Sequence, residues 1–176
     1  MPKPPPAITL VDAKEFLKIS SDSTDVELLG FIEAATAAWV KRVGPVLPQQ
    51  FVDTIGLPRP GLPLTKAPVI SVESVTVDGV ELAPTRWELD PDAGVIDVDG
   101  GLTGRRASVH YTAGYAPDDV PADLLLGVKL LLRHLWRTQR GAAKAAGGGE
   151  EETSASFLWP NRVEEIARDY RLAGFA

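Results

Sequence analysis

The sequence predicts an α+β fold, with helical segments on either side of a small antiparallel β-region. Three observations predict it. Residues 12–43 carry two stretches of helical periodicity, closed by Gly44-Pro45. Residues 46–113 break into short runs of β-branched and aromatic types, separated by Gly, Pro and Asp. A long leucine-rich helix then follows from Pro121 to Arg140.

The proline-rich start, residues 1–8, reads as an extended arm. A short helix is expected over Asp12–Ile19, with Asp12 and Glu15 spaced like a capping box. After the polar break Ser20–Ser23, a second helix runs from Asp25 to Val43, opened by a Thr24/Glu27 pair. One strand is expected within Val46–Ile55, then a turn-laden connection through Pro58, Pro60, Pro63 and Pro68. Val69–Val77 is a strong strand, and Asp78-Gly79 is a tight hairpin turn leading to Val80–Ala83. Arg86–Leu89, Val95–Val98 and Ala107–Thr112 complete an antiparallel sheet or small sandwich. Pro121 suits the first turn of the third helix, and Asp123 suits its positive end. Residues 141–156, rich in Gly, Ala and Glu, read as a linker, and a last helix is expected over Pro160–Leu172 within a C-terminal arm, 157–176.

Composition narrows the function. The chain has 176 residues and a net charge of −6. That balance argues against a protein whose main task is gripping nucleic-acid phosphates. Residues 1–120 carry 10 basic and 17 acidic side chains, while residues 121–176 carry 8 and 7. There is no cysteine, so disulfides and thiolate metal sites are excluded. The start, MPKPPPAITL, lacks the apolar core of a signal peptide. Lys129 and Arg133 interrupt the longest leucine-rich run, so no membrane span is expected.

The third helix has more leucine than one buried face needs. On a helical wheel Leu124, Leu125, Val128, Leu131, Leu132, Leu135 and Trp136 share a face. Asp123, Gly127, Lys129, Arg133, His134 and Arg137 fall opposite, yet Leu126 and Leu130 lie among them. Either the last helix or the linker covers these two leucines, or Leu126, Leu130, Arg133 and Arg137 form a subunit contact. The second helix places Leu28, Leu29, Ile32, Ala35, Trp39, Val40 and Val43 on a core face. Its back carries Gly30, Ala34, Ala37, Ala38 and Lys41, small residues that either favour helix or admit another chain.

No motif of chemistry emerges. His110 and His134 belong to no metal-ligand spacing, and no nucleophile elbow, P-loop or dinucleotide fingerprint is present. Gly147-Gly148-Gly149 precedes Glu150-Glu151-Glu152, which would repel an anion. Asp97, Asp99, Asp118 and Asp119 sit at turns without EF-hand spacing. Neither an enzyme nor a cofactor or metal is expected.

Four segments together resemble the head–tail connector proteins of tailed bacteriophages, also called head-completion or adaptor proteins. They are Leu10–Ile19 with its polar break, Asp25–Ala35, Ala67–Gly79, and Val109–Tyr115 with Val120–Leu124 running on to His134-Leu135-Trp136. The resemblance covers most of residues 8–140 and departs most after Gly141. It implies a mainly helical bundle, three longer helices plus a C-terminal one, with the small antiparallel β-region inserted in a connector domain of residues 9–140. It implies a virion neck component assembled in the host bacterial cytoplasm: a ring of twelve copies docked on the portal protein, extending the channel for genomic DNA without reading its sequence. A tail-side neck or terminator protein would attach below. A tail-completion ring, or a small bacterial ligand-binding module, is the alternative. Phe157, Leu158, Trp159, Arg162, Arg168 and Arg171 form an apolar and cationic arm that either folds back on its own domain or reaches a neighbour or the portal.

Overall fold

The computed structural model describes residues 3–141 and 159–171. In chain order these hold α1 (Leu10–Leu17), α2 (Asp25–Arg42), β1 (Gln49–Gly56), β2 (Arg59–Pro63), β3 (Val69–Val77), β4 (Val80–Glu81), β5 (Trp87–Asp90), β6 (Val95–Leu102), β7 (Arg106–Ala113), α3 (Ala122–Gly141) and α4 (Asn161–Asp169). The chain divides into two units. A β unit spans Leu47–Asp119, and a helical unit combines Lys3–Val46 with Val120–Tyr170. The linker expected at 141–156 lies outside the described residues, apart from Gly141 at the end of α3.

In the helical unit, α1 starts two residues earlier than its sequence suggests, because Thr9 caps it. The Thr9 hydroxyl accepts from the Asp12 N–H at 3.1 Å and donates to the Asp12 carboxylate at 2.6 Å. The expected Thr24/Glu27 capping box does not form: Thr24 sits at the N-cap of α2, but its buried hydroxyl makes no hydrogen bond. Asp25 and Glu27 still complement the positive end of α2, as Lys41 and Arg42 complement its last turn. The arm from Lys3 lies along α2, where the Ala7 N–H donates to the Thr36 hydroxyl at 3.2 Å and Ile8 is buried.

Leu28, Ile32, Ala35 and Trp39 of α2 build the helical core with Leu124, Val128, Leu131 and Leu132 of α3 and Val163, Ile166 and Ala167 of α4. Gly127 belongs to this core and not to the polar side of α3, where the wheel places it. A Cβ there would lie 2.5 Å from Cη2 of Trp39 and 3.2 Å from a methyl of Ile166. The missing side chain is what lets the Trp39 indole reach α3.

The β unit overturns one expectation. Its seven strands form two antiparallel sheets, ordered β1-β7-β3-β4 and β2-β6-β5. The molecule is therefore not a mainly helical bundle with a small β-region. The difference lies largely in the stretch read as turns and in the extension of β6 to Leu102. Arg59–Pro63 is a strand, and its prolines are tolerated because β2 is an edge. Its pairing continues that of its neighbours: β1 pairs β7 from Gln49↔Ala113 to Gly56↔Arg106, the Leu57 N–H donates to the Arg105 carbonyl, and Arg59↔Leu102 opens the ladder of β2 with β6. One long two-stranded ribbon thus passes from the first sheet into the second.

Alternation along β7 buries Ala107, Val109, Tyr111 and Ala113. Phe51 packs on Tyr111 with ring centroids 5.8 Å apart. Beside them Asp53 is buried but well supplied with donors: Tyr111 Oη at 2.8 Å, the Thr65 N–H at 2.6 Å and the Thr65 hydroxyl at 2.8 Å. This network ties β1, β7 and the segment between β2 and β3. Burial pushes the Tyr111 phenol well above its usual pKa, and the Asp53 carboxylate pushes the same way. The phenol therefore stays a donor across the physiological range. At the end of β3, the positive φ values of Asp78 (48°) and Gly79 (87°) make the expected hairpin turn. The Asp78 carboxylate accepts from the N–H groups of Arg105 and Arg106, which hold it below the usual carboxylate range.

Two stability outcomes are expected. Gly127→Ala gains up to about 1 kcal/mol of helix propensity but forces a methyl onto a fully buried indole, at about 1–3 kcal/mol or more. Urea unfolding should show net destabilisation; a gain would mean that Trp39 has room to move. Tyr111→Phe removes one of three donors from a buried carboxylate and should cost about 1–3 kcal/mol by the same measurement.

Candidate functional site

The surface that stands out on the helical unit is a cationic groove beside α3. Leu130, Arg133, His134, Arg137 and Thr138 of α3 line it on one side. Pro160, Arg162 and Val163, at the start of α4, line it on the other. Its volume is about 350 Å³. Leu130 and Pro160 are half-buried and give the groove its apolar floor, with Val163 fully buried beneath them. Arg133, Arg137 and Arg162 are exposed around it.

The three arginines are held differently. The Arg133 guanidinium lies 5.5 Å from the centroid of the Phe16 ring on α1. Arg162 pairs with Glu165 at 2.9 Å, three residues along its own helix. Arg137 pairs with no carboxylate among the described residues. The four residues of the predicted α3 stripe thus share one side of the helix, with Leu126 39% exposed above the groove. Of the two leucines in question, Leu130 shares its groove with α4, and Leu126 remains at the surface.

The last helix packs on its own unit. Trp159 stacks on Trp39, with centroids 5.7 Å apart and planes 16° from parallel. The Arg42 guanidinium lies 4.4 Å from the centroid of the Trp159 ring and also pairs with Glu164 at 2.7 Å. The Tyr170 hydroxyl donates to the Asp123 carboxylate. Arg162 and Arg168 stay exposed, Arg171 is half-buried, and Phe157 and Leu158 lie outside the described residues.

The back of α2 is open. Gly30, Ala34, Ala37 and Lys41 are exposed and Ala38 is half-buried; nothing lies within 4 Å of a Cβ built on Gly30. Two apolar residues on this side escaped the sequence reading. Leu29 is 43% exposed rather than in the core, and Val26 is 86% exposed. The signal was available for Val26, which sits three and four residues before Leu29 and Gly30. Leu29 lies at the edge of the apolar arc, where a wheel cannot decide.

The remaining sites do not converge. His110 is exposed on β7, opposite Val52 and Ser74. Asp97 and Asp99 are exposed on β6, and Asp118 and Asp119 fall in a single turn at Pro117–Asp119. Among the described residues no three of His, Asp and Glu gather as a metal-ligand set, and no helix is long and apolar enough to cross a membrane. What the groove offers chemically is recognition: guanidinium donors for carboxylates around an apolar floor.

Known proteins resemble this chain as a whole. A family described as head completion protein matches residues 7–173. No curated protein matches. Among solved structures, a chain from the neck of an empty gene transfer agent (GTA) particle, computed with C6 symmetry, superposes with a TM-score of 0.67 at 23% identity, covering 95% of this chain and 90% of that one. A chain from the virion of a native GTA particle gives 0.64 at 20% identity, over 97% and 94%. One from the neck of the native particle, computed with C12 symmetry, gives 0.61 at 22% identity, over 94% and 93%. The fold is therefore shared along nearly the whole chain.

The tie between α3 and the end of α4 should respond to acid. The Tyr170 hydroxyl holds the Asp123 carboxylate below its usual pKa. A lowered folded-state pKa gives stability that is present above the unfolded value and lost as pH falls through the folded one. Hydrogen exchange in α4 should therefore speed up as acid titrates Asp123, and Asp123→Asn should remove that step. An unchanged acid profile in the variant would exclude this bond as the cause.

Proposed function

We infer the function from one premise: this chain belongs to the head completion protein family. It is a structural component of a phage or phage-like neck. Copies form a ring that docks on the portal, extends the DNA channel and offers a surface for tail attachment. Twelve is the proposed copy number, in keeping with the twelvefold symmetry of one of the GTA necks whose chain shares this fold. The family match carries the reading. It also favours the head side of the neck over a tail-completion ring, and it gives no support to a ligand-binding module. No catalysis is proposed.

A ring needs two different patches per subunit that meet head to tail. The stripe Leu126, Leu130, Arg133 and Arg137 is one, and the open back of α2, with Gly30, Ala34, Ala37, Ala38 and Lys41, is the other. Exposure supports both: Leu126, Arg133, Arg137, Gly30, Ala34, Ala37 and Lys41 are exposed, and Leu130 and Ala38 are half-buried. The exposed Arg162 and Arg168 of α4 are available to the portal or a neighbour, with α4 remaining on its own unit. The net charge of −6 suits a passage for DNA, since a cationic wall would retain phosphates.

Cryo-electron microscopy of the particle neck tests the reading directly, through a ring of this chain beneath the portal. Leu126→Asp should abolish that ring and leave the fold intact, because an exposed substitution shifts stability by only about 0.5 kcal/mol. Normal ring assembly by the Leu126→Asp variant would exclude the α3 stripe as the contact.

A further inference from the structure

We propose that the cationic groove between α3 and α4 is the socket for α2 of a neighbouring copy, which inserts Val26 and Leu29 onto the apolar floor and sets Glu33 against Arg137. The proposal rests on the ring reading and gives it a specific joint.

The inserted face is written in helical spacing. Val26, Leu29, Gly30 and Glu33 stand at i, i+3, i+4 and i+7, so they share one side of α2. Val26 and Leu29 are the two most exposed large apolar side chains of α2; their own unit leaves Val26 almost bare and Leu29 partly covered. Above Gly30 the space is open, which lets a second backbone approach. This is the pattern of a helix that lays an apolar edge into a groove.

The socket has the complementary chemistry. Leu130 and Pro160, both half-buried, give an apolar floor between walls that already stand apart, with Val163 fully buried beneath. Arg137 is exposed and pairs with no carboxylate among the described residues, while Glu33 is half-exposed and, among the described residues, makes a single surface pair with Lys3. A surface pair is weak and readily exchanged, whereas an Arg–carboxylate bond closed off at an interface is stronger and directional. Glu27, exposed nearby on α2, adds negative charge on the same end. An apolar floor also suits a protein partner better than a phosphate backbone, which has no apolar edge to seat.

The two patches are different surfaces of one unit. A copy that offers α2 to one neighbour still has an empty groove for another, so the joint repeats head to tail and closes where the rotation allows.

A charge exchange tests the joint. In full-length chain incorporated into particles, Arg137→Glu and Glu33→Arg should each lower the copies per particle by roughly tenfold or more, and the double variant should recover to within about twofold of the wild type. Copies are counted by quantitative mass spectrometry of purified particles. Melting of the soluble variants checks the fold, and the milder R137Q and E33Q, expected to show smaller losses in the same order, serve where a reversal unfolds the chain. Singles that incorporate normally, or a double variant no better than either single, would overturn the joint. So would an Arg137 variant that loses affinity for duplex DNA while its ring stays intact, since the groove would then be a phosphate site. The ring reading fails on a different result: wild-type particles with no ring of this chain at the neck.

Discussion

Trp39 reaches the middle of the helical unit only because α3 has no side chain at Gly127. Much of the unit's surface depends on that fit. The indole is fully buried, and its outer face is where Trp159 stacks. Trp159 in turn leads α4, whose Val163 and Ile166 complete the core. Fill position 127 and the indole must move; move the indole and α4 loses the aromatic surface it rests on. The groove has α4 as one wall, so the candidate contact surface depends on a glycine in the interior. A helix tolerates such a glycine at some cost in propensity, and here burial of the largest side chain in the core offsets it.

The β unit solves a different problem. A ribbon that leaves one sheet for another needs strands that bend and still pair. Gly100, Gly101 and Gly104 adopt positive φ on the β6–β7 side, and Arg59 and Gly61 mark an irregular register on the β2 side. The buried Asp53 holds the turn of the chain near this ribbon. A carboxylate costs free energy when buried alone, but three donors from Tyr111 and Thr65 compensate it. The polar network thereby fixes where the segment after β2 returns to the first sheet, which hydrophobic packing alone would leave free to slide.

How much of this could be read in the sequence depended on how local each signal was. β3 was legible to the residue, because a β-branched run ends at an Asp-Gly turn with the φ values such a turn needs. β2 was not, because Arg-Pro-Gly-Leu-Pro is a turn by composition and becomes a strand only through Leu102 and its neighbours, far along the chain. That one segment, with the extension of β6 through Gly100-Gly101, accounts for much of the underestimated β content. On α3 the wheel found the exposed stripe correctly at Leu126, Arg133 and Arg137, since each points directly away from the buried arc. It failed at Gly127, where the deciding atom belongs to Trp39, and at Leu29 on α2, which lies between two arcs. The groove itself had no sequence signal, because its far wall begins at Pro160, beyond a long gap from α3.

The electrostatic setting of the groove argues for its use. Carboxylates outnumber cations in this chain by 24 to 18, so an exposed guanidinium has many possible partners. Lys14 takes two of them, Asp22 and Asp25, and Arg42 takes Glu164 as well as an aromatic ring. Arg137 takes none among the described residues, although it lies on the same helical unit. Surface pairing is weak enough that one unpaired arginine is no anomaly. Its position is what matters: it borders an apolar floor, next to Arg133 and across from Arg162, where a bound carboxylate would be shielded from water. In that setting the same charge contributes far more than it does in solvent, and it does so only when another surface closes the groove. In the proposed joint α2 of a neighbouring copy would close it, with Val26 and Leu29 exposed beside the Glu33 carboxylate. On the proposed joint, the groove would gain its interaction energy only on contact with a second copy, so strong pairing in the free chain is not required of it.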